Sequence, residues 1–213
     1  MTCQFPDALL IQFAKVPELG KVKTRMQPFL TEQQSLLLHC RLVSETYRTL
    51  IQSQLAPVEL WTAGSQASAF FNELEPSPML REQQGADLGM RMQHALLDGL
   101  QRYQAVVLVG SDCPFMTEGA LRQALEILSA GSDCVLGPAT DGGYVLIGLA
   151  QPSVQLFEDI AWGTHKVLEQ TRSHLRHMDW KWQELEPLAD IDKPEDLNQI
   201  TFLKQYEDLI LTY

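Results

Sequence analysis

Along this chain, short uncharged apolar runs alternate with longer stretches whose apolar residues recur every three or four positions. The first run, "ALLIQFA" (8–14), is bounded by Pro6, Asp7 and Lys15 and predicts a buried strand. "VELWT" (58–62) predicts a second strand and "MLREQ" (79–83) a weaker third. "AVVLVG" (105–110) is apolar on both faces, as in the centre of a parallel sheet covered by helices. "DCVLGPA" (133–139) and "YVLIGLA" (144–150) follow, separated by "TDGG", and "HMDWKWQEL" (177–185) alternates enough for a last strand.

The stretches between them read as helices. Thr31 and Gln34 form a Thr-x-x-Gln capping box ahead of Leu37, Leu38, His39, Leu42, Val43, Thr46 and Leu50. A short helix is expected around "SAFFNEL" (68–74). "ADLGMRMQHALLDGLQRY" (86–103) puts Leu88, Met92, Ala95, Leu96, Gly99 and Leu100 on one face. Thr117 caps a helix reaching about Ser129, and Thr164 opens one with Val167, Leu168, Thr171 and Leu175 in register. "PEDLNQITFLKQY" (194–206) closes the chain as a helix with Pro194 in its first turn. Strands and helices alternating at these lengths predict an α/β fold of three layers, with a twisted, mostly parallel sheet.

With 213 residues, 45% of them apolar, the chain can bury a substantial core and is read as one domain. No run of about 18 apolar residues suggests a membrane span, and the N-terminal stretch lacks the basic start and cleavage site of a signal peptide. A cytoplasmic location is expected. Cys3, Cys40, Cys113 and Cys134 form no C-x-x-C pair, which argues for reduced, packed thiols rather than zinc or disulfides. A formal charge of −11 disfavours nucleic acid and membrane surfaces as partners.

Against that acidity, residues 15–25 ("KVPELGKVKTR") hold Lys15, Lys21, Lys23 and Arg25 against the single acid Glu18. Alone, this is as readily a solvated surface loop as a binding element. Its position at the end of the first strand matters, because ligands of open α/β sheets bind outside the carboxyl ends of the strands. Asp112 lies just past "AVVLVG", so cations and a carboxylate converge on one edge. That combination suits a phosphorylated ligand held partly through Mg²⁺ or Mn²⁺, which Asp112 would bind. The alternative for Asp112 is a turn aspartate bonding its own backbone ahead of Pro114.

Other chemistries lack their patterns. There is no G-x-x-x-x-G-K-[ST] loop, no G-x-G-x-x-G after the first strand, no G-x-S-x-G and no H-E-x-x-H. Cys113, beside a carboxylate, is a poor nucleophile and reads as packing. His174 and His177 make an incomplete metal pair, and Trp180 and Trp182 read as edge or core residues. Asp141, followed by Gly142 and Gly143, is either a plain hairpin turn or a place where backbone approaches a ligand. Glu195 and Asp196 suit a helix first turn. Asp190 and Asp192 precede it in an extended segment, where Asp192 could cap the helix or either could ligate a metal.

Taken together, "FAKVPELGKVKTRM", "GADLGMRM", "GSDCPFM", "GPATDGGYVLIGL", "IAWGTHKVLEQT" and "DIDKPEDL" resemble a family of bacterial glycosyltransferase-like proteins with the type A fold. The family is described as radical-SAM/selenodomain-associated transferases and linked to arsenosugar biosynthesis. More distantly, the chain resembles molybdenum-cofactor nucleotidyltransferases and phospholactate guanylyltransferases. The resemblance implies a nucleotide-diphospho-sugar transferase (Rossmann-like) fold and a divalent metal, Mg²⁺ or Mn²⁺.

Carried over residue by residue, the resemblance makes Asp112 the metal-holding aspartate. Pro114 stands where many type A enzymes have a second acid, so Asp192, then Asp190, is the implied partner. Lys15, Lys23 and Arg25 would wrap the nucleotide phosphates, although the loop lacks the glycine-rich G-x-G-T-R of sugar-nucleotide pyrophosphorylases, and Asp87 would join the nucleotide site. Asp141, Gly143 and Tyr144, with Trp162, Gly163 and Thr164 at a helix start, would meet the second substrate. Two reactions fit: transfer of a sugar from a nucleotide sugar to a small acceptor, with Asp141 as base, or transfer of a nucleotidyl group from a nucleoside triphosphate. Sugar transfer is the expectation, with Asp112, Asp141 and Lys23 as the catalytic set. A non-catalytic nucleotide-binding scaffold is the third reading.

Overall fold

The computed structural model describes residues 3–64 and 68–200. Its centre is a seven-stranded sheet built from β1 (Ala8–Lys15), β2 (Val58–Ala63), β3 (Met79–Glu82), β4 (Ala105–Gly110), β5 (Cys134–Pro138), β6 (Tyr144–Leu149) and β7 (Trp182–Glu184). The spatial order is β3-β2-β1-β4-β6-β5-β7. Every adjacent pair is parallel except those made by β6, which runs antiparallel to both β4 and β5. "TDGG" is therefore the connection of a β5–β6 hairpin in an otherwise parallel sheet.

The helices are α1 (Glu32–Ser53), α2 (Ala69–Asn72), α3 (Leu88–Leu100), α4 (Glu118–Ser129) and α5 (Val167–His177). Successive residues of the apolar strands point to opposite faces. Leu10, Val107, Val109 and Val135 pack with Leu50 of α1 and with Leu121, Ala124, Leu125 and Leu128 of α4. Leu9, Ile11, Phe13, Val106, Leu108 and Ile147 pack on the other side with Met92, Ala95 and Leu96 of α3 and with Leu168 and Leu175 of α5. Strands without polar alternation thus have helices on both faces, which is the three-layer arrangement expected from their composition.

Local signals placed several boundaries. Thr31 and Gln34 make the reciprocal capping box at the start of α1, and Thr117 accepts from Ala120 N at the start of α4. Other expectations need correction. Leu37 and Leu88 fit the helical period but are exposed (41% and 48%), lying at the margins of stripes narrower than the sequence implied. Thr164 does not open α5. It forms a turn whose hydroxyl accepts from Lys166 N, and the helix begins at Val167. The predicted strand at 177–185 shrinks to Trp182–Glu184, because α5 runs to His177 and ends through Asp179 in the left-handed region (φ 54°). Trp180 and Trp182 pack partly buried against the second core. The last predicted helix is a 3-10 turn, Pro194–Gln199, and the rest of that stretch lies outside the described residues, as does the C-terminal "LILTY".

A small satellite core bears directly on function. Met26 and Leu30, just after the cationic loop, are buried with Leu38 and Leu42 of α1 and with Ile191, Leu197 and Ile200. It fastens the loop to the 190–200 segment. Two stretches more than 160 residues apart in sequence are thereby held at the mouth of the sheet, a pairing shown by the Lys23–Ile191 and Arg25–Asp192 bonds (sequence separations of 168 and 167).

Candidate active site

At the carboxyl ends of β1, β2 and β4 lies a cleft of about 510 Å³, lined among others by Lys15, Lys23, Arg25, Arg91, Asp112, Asp190 and Asp192. Lys15, Lys23 and Arg25 share one crevice with Asp112, as their places after apolar strands suggested, and with Asp190 and Asp192; Lys21 does not line it and pairs with Glu18 at the surface. Asp112 sits two residues beyond β4 because Gly110 and Ser111 end the strand. The side chain of Lys23 is 3% exposed and its Nζ lies 2.7 Å from Asp112 Oδ1. The same ammonium donates to the carbonyl of Ile191 at 2.5 Å. Lys23 reaches this place through a left-handed backbone (φ 49°), which costs about 1 kcal/mol or more for a residue with a side chain and needs surrounding packing to persist.

Burial disfavours charge on Asp112, but Lys23, with smaller help from Lys15, outweighs it and holds the carboxyl below its ordinary range. Asp112 is therefore ionised, and its side chain keeps 49% exposure toward the cleft. Its backbone carbonyl accepts from Ile191 N at 2.8 Å, which locks the 190–192 segment beside it. Asp190 is the opposite case. Burial first, then the charges of Asp141, Asp112 and Asp192, push its carboxyl up to about 6. Asp192 is ion-paired with Arg25. It does not cap the final turn; instead Asp196 Oδ2 accepts from the backbone N–H groups of Asp192 and Lys193.

The remaining sequence candidates divide. Lys15 lines the cleft at the end of β1. Asp141 does not line the cleft, although its charge is felt by Asp190, and its Oδ1 accepts from Gly143 N at 2.9 Å. Gly142 adopts φ 93° and a Cβ there would come 2.3 Å from the carbonyl of His165, so the close approach it permits is to the chain entering α5. Its carbonyl accepts from Leu168 N at 2.9 Å, taking up a donor that a helix N-terminus could otherwise offer an anion. Gly142→Ala is accordingly expected to cost about 2 kcal/mol or more, read as a lower denaturant midpoint. An unchanged midpoint would mean that the hairpin relaxes freely.

Tyr144 lines the cleft, and burial raises its hydroxyl pKa. Gly163 lines it too, but Trp162 lies on the wall of a second depression of about 450 Å³ with Asp87. The indole of Trp162 packs on Gly89 and stacks with Phe157 at 6.4 Å between centroids. Asp87 is the N-cap of α3, accepting from Met90 N at 2.8 Å, and does not line the main cleft. Thr164 is used in the turn before α5. Among the polar residues of the cleft, five were not singled out from the sequence as site residues: Arg91, whose Nε donates to Gly85 O, and Thr24, Gln83, His39 and Ser111. Arg91 lies off the apolar face of α3, a signal shared by every solvated helix arginine. The four cysteines are free, and burial pushes Cys113 up to about 11, consistent with packing.

The family model described as "uncharacterized protein conserved in bacteria (DUF2064)" matches residues 46–164, more than half of the chain. The chain belongs to the DUF2064 family. Among solved structures, this DUF2064 member is similar to a Desulfovibrio desulfuricans G20 protein whose name places it among the nucleotide-diphospho-sugar transferases. The two share 29% identity and a TM-score of 0.85 over 95% of this chain and 91% of that one. It is also similar in fold to 4-diphosphocytidyl-2C-methyl-D-erythritol synthase from Anaerococcus prevotii DSM 20548 (TM-score 0.61, 9% identity, 94% and 96% covered). A third is CMP:2-keto-3-deoxy-manno-octonic acid synthetase in complex with CTP (TM-score 0.58, 9% identity, 94% and 99% covered). No curated protein matches the sequence significantly. The DUF2064 chain thus has the nucleotide-diphospho-sugar transferase fold and falls in that transferase superfamily. None of the matches named here bears on a radical-SAM or arsenosugar association. No described helix is long and apolar enough to cross a membrane.

Proposed function

We propose that the protein is a metal-dependent glycosyltransferase that uses a nucleotide-sugar donor and a small-molecule acceptor. The observation that carries this reading is the Lys23–Asp112 pair facing Lys15, Arg25 and Arg91 in one cleft at the ends of β1 and β4. Cations in that number suit the phosphates of a nucleoside diphosphate, whose negative charge grows as the sugar departs. The name of the 29%-identical relative points to the same donor class. Nucleotidyl transfer would need nearly the same groups, and the synthetase solved with CTP shares only the fold.

The residues fit a divalent ion. Among the described residues no three His, Cys, Asp or Glu side chains form a closed metal cage. Mg²⁺, and Mn²⁺ in similar sites, is commonly held by one or two carboxylates completed by substrate oxygens and water. Asp112, ionised and half-exposed, would be one ligand. Asp190 would be the second, in preference to Asp192, which is engaged with Arg25. Bound there, the ion would neutralise phosphate charge as a Lewis acid.

The chain's own groups do the rest. Lys23 keeps Asp112 ionised and places a buried positive charge beside it. Lys15, Arg25 and Arg91 orient the phosphates from the cleft walls. Asp141, tethered by Gly143 N on the turn that precedes the cleft residue Tyr144, is the proposed base for an acceptor hydroxyl that reaches past the cleft lining. Tyr144 and Gly163, which line the cleft, would meet the acceptor.

A thermal-shift screen with Mg²⁺ or Mn²⁺ against nucleoside mono-, di- and triphosphates and sugar nucleotides tests this reading, since stabilisation grows with ligand concentration over Kd. The expected result is a best response to one sugar nucleotide or its diphosphate, abolished by EDTA and by Asp112→Asn. A best response to a triphosphate, with pyrophosphate release on turnover, would replace sugar transfer by nucleotidyl transfer. No response to any would leave a non-catalytic protein.

A further inference from the structure

Three consecutive carbonyls at the end of β1 are each held by a side chain from a different part of the fold. Ser111 Oγ, following β4, donates to Phe13 O at 2.7 Å. Gln83 Nε2, following β3, donates to Ala14 O at 3.2 Å and to Trp61 O at 2.9 Å. His39 Nε2, on α1, lies 3.0 Å from Lys15 O, and because a carbonyl can only accept, that nitrogen carries the proton. All three side chains line the main cleft. Gln12, fully buried, donates to Ser111 Oγ at 2.8 Å and to Val43 O at 3.0 Å, tying the arrangement back to α1.

The reason for such a clamp lies in the sheet register. The β1–β4 pairing stops at Phe13–Gly110, while the β1–β2 pairing continues to Lys15–Ala63. From Ala14 onward β1 has lost its neighbour on one side, at the point where the cationic loop begins. His39 is 4% exposed on the face of α1 that also buries Leu42, Val43 and Thr46, so its ring is held by packing. Burial lowers its pKa and keeps the imidazole neutral.

We propose that His39 is a positioning residue for phosphate recognition: its Nε2–H holds the Lys15 carbonyl and so fixes where the cationic loop leaves the sheet. Ser111 and Gln83 secure the two carbonyls before it, and His39 is the arm that acts on the loop itself. The assignment of phosphate as ligand rests on the proposed function; the clamp does not.

The test compares wild type, His39→Ala and His39→Gln, because a glutamine amide can donate to the same carbonyl. Two readouts are used: amide hydrogen exchange along residues 16–26, and binding of inorganic pyrophosphate with Mg²⁺. One lost hydrogen bond predicts roughly tenfold faster exchange in the loop and roughly tenfold weaker pyrophosphate binding for His39→Ala. Exchange in α4 should not change, and His39→Gln should recover most of both effects. Unchanged loop exchange in His39→Ala, or equal damage in both variants with faster exchange throughout the sheet, would overturn the proposal. If wild type bound no pyrophosphate and no nucleotide, the functional reading would fail, while the exchange comparison would still decide the clamp.

Discussion

Lys23→Met is expected to lower kcat/KM at least about 100-fold, the scale lost when a charge aimed at a transition-state anion is removed. It should also destabilise the protein by about 2 kcal/mol. The stability figure is less than a fully buried pair would give, because the Lys23 side chain is 3% exposed but that of Asp112 is 49% exposed. Methionine keeps most of the stem packing, so the loss reports the ammonium. The pH dependence has a definite sign. Asp112 is held below its ordinary pKa, so its contribution is present above that value and is lost as pH falls through the depressed one. The gap between wild type and Lys23→Met should therefore be full at pH 7 and close on acidification below about 4. Urea melts at the two pH values measure this. A gap independent of pH would mean that Lys23 stabilises through its bond to Ile191 O and its stem, with Asp112 a bystander.

Asp190→Asn should move stability the other way. The carboxyl of Asp190 is pushed up to about 6 by burial and by three neighbouring aspartates. An acid whose pKa is raised on folding stabilises the native state only while protonated. That contribution is complete below the unfolded value near 4 and is lost as pH rises through about 6. At pH 7.5 the variant should exceed wild type by about 1–2 kcal/mol, a value discounted for partial exposure, and at pH 4 the two should coincide. The same substitution should remove most of the stabilisation by Mg²⁺ or Mn²⁺, and in wild type that stabilisation should weaken below pH 6 as protons compete for the carboxylate. A variant that is more stable and keeps its full metal response would take Asp190 out of the metal site. Gains in stability with loss of function are typical of groups kept in a strained electrostatic setting for their chemistry.

The two predictions concern residues that sequence reading reached to different degrees. Asp112 and Lys23 were legible because each follows a strand whose apolar composition marks it as central, and the position of ligands at strand ends is general to such sheets. Arg91 and His39 were not, since a polar residue on a helix carries no local sign of whether it faces water or a cleft, and Gln83 follows β3, a short strand with only a weak sequence signal. Asp87 and Thr164 fell in motifs of the right wording, yet the structure uses one as a helix cap and the other in a turn. The preference of Asp190 over Asp192 depends on where one arginine reaches, which is decided by the packing of Met26 against Ile191.

Periodicity, capping boxes and charge-free strands are short-range properties, and from them the chain by itself determined its layers, most of its helix starts and the sheet edge at which the cleft opens. The tertiary structure alone decided which side chains meet there. The 15–25 loop and the 190–192 segment lie more than 160 residues apart, and their contact, like the lowered pKa of Asp112 and the raised one of Asp190, comes from burial and Coulomb interactions that exist only when the satellite core has formed.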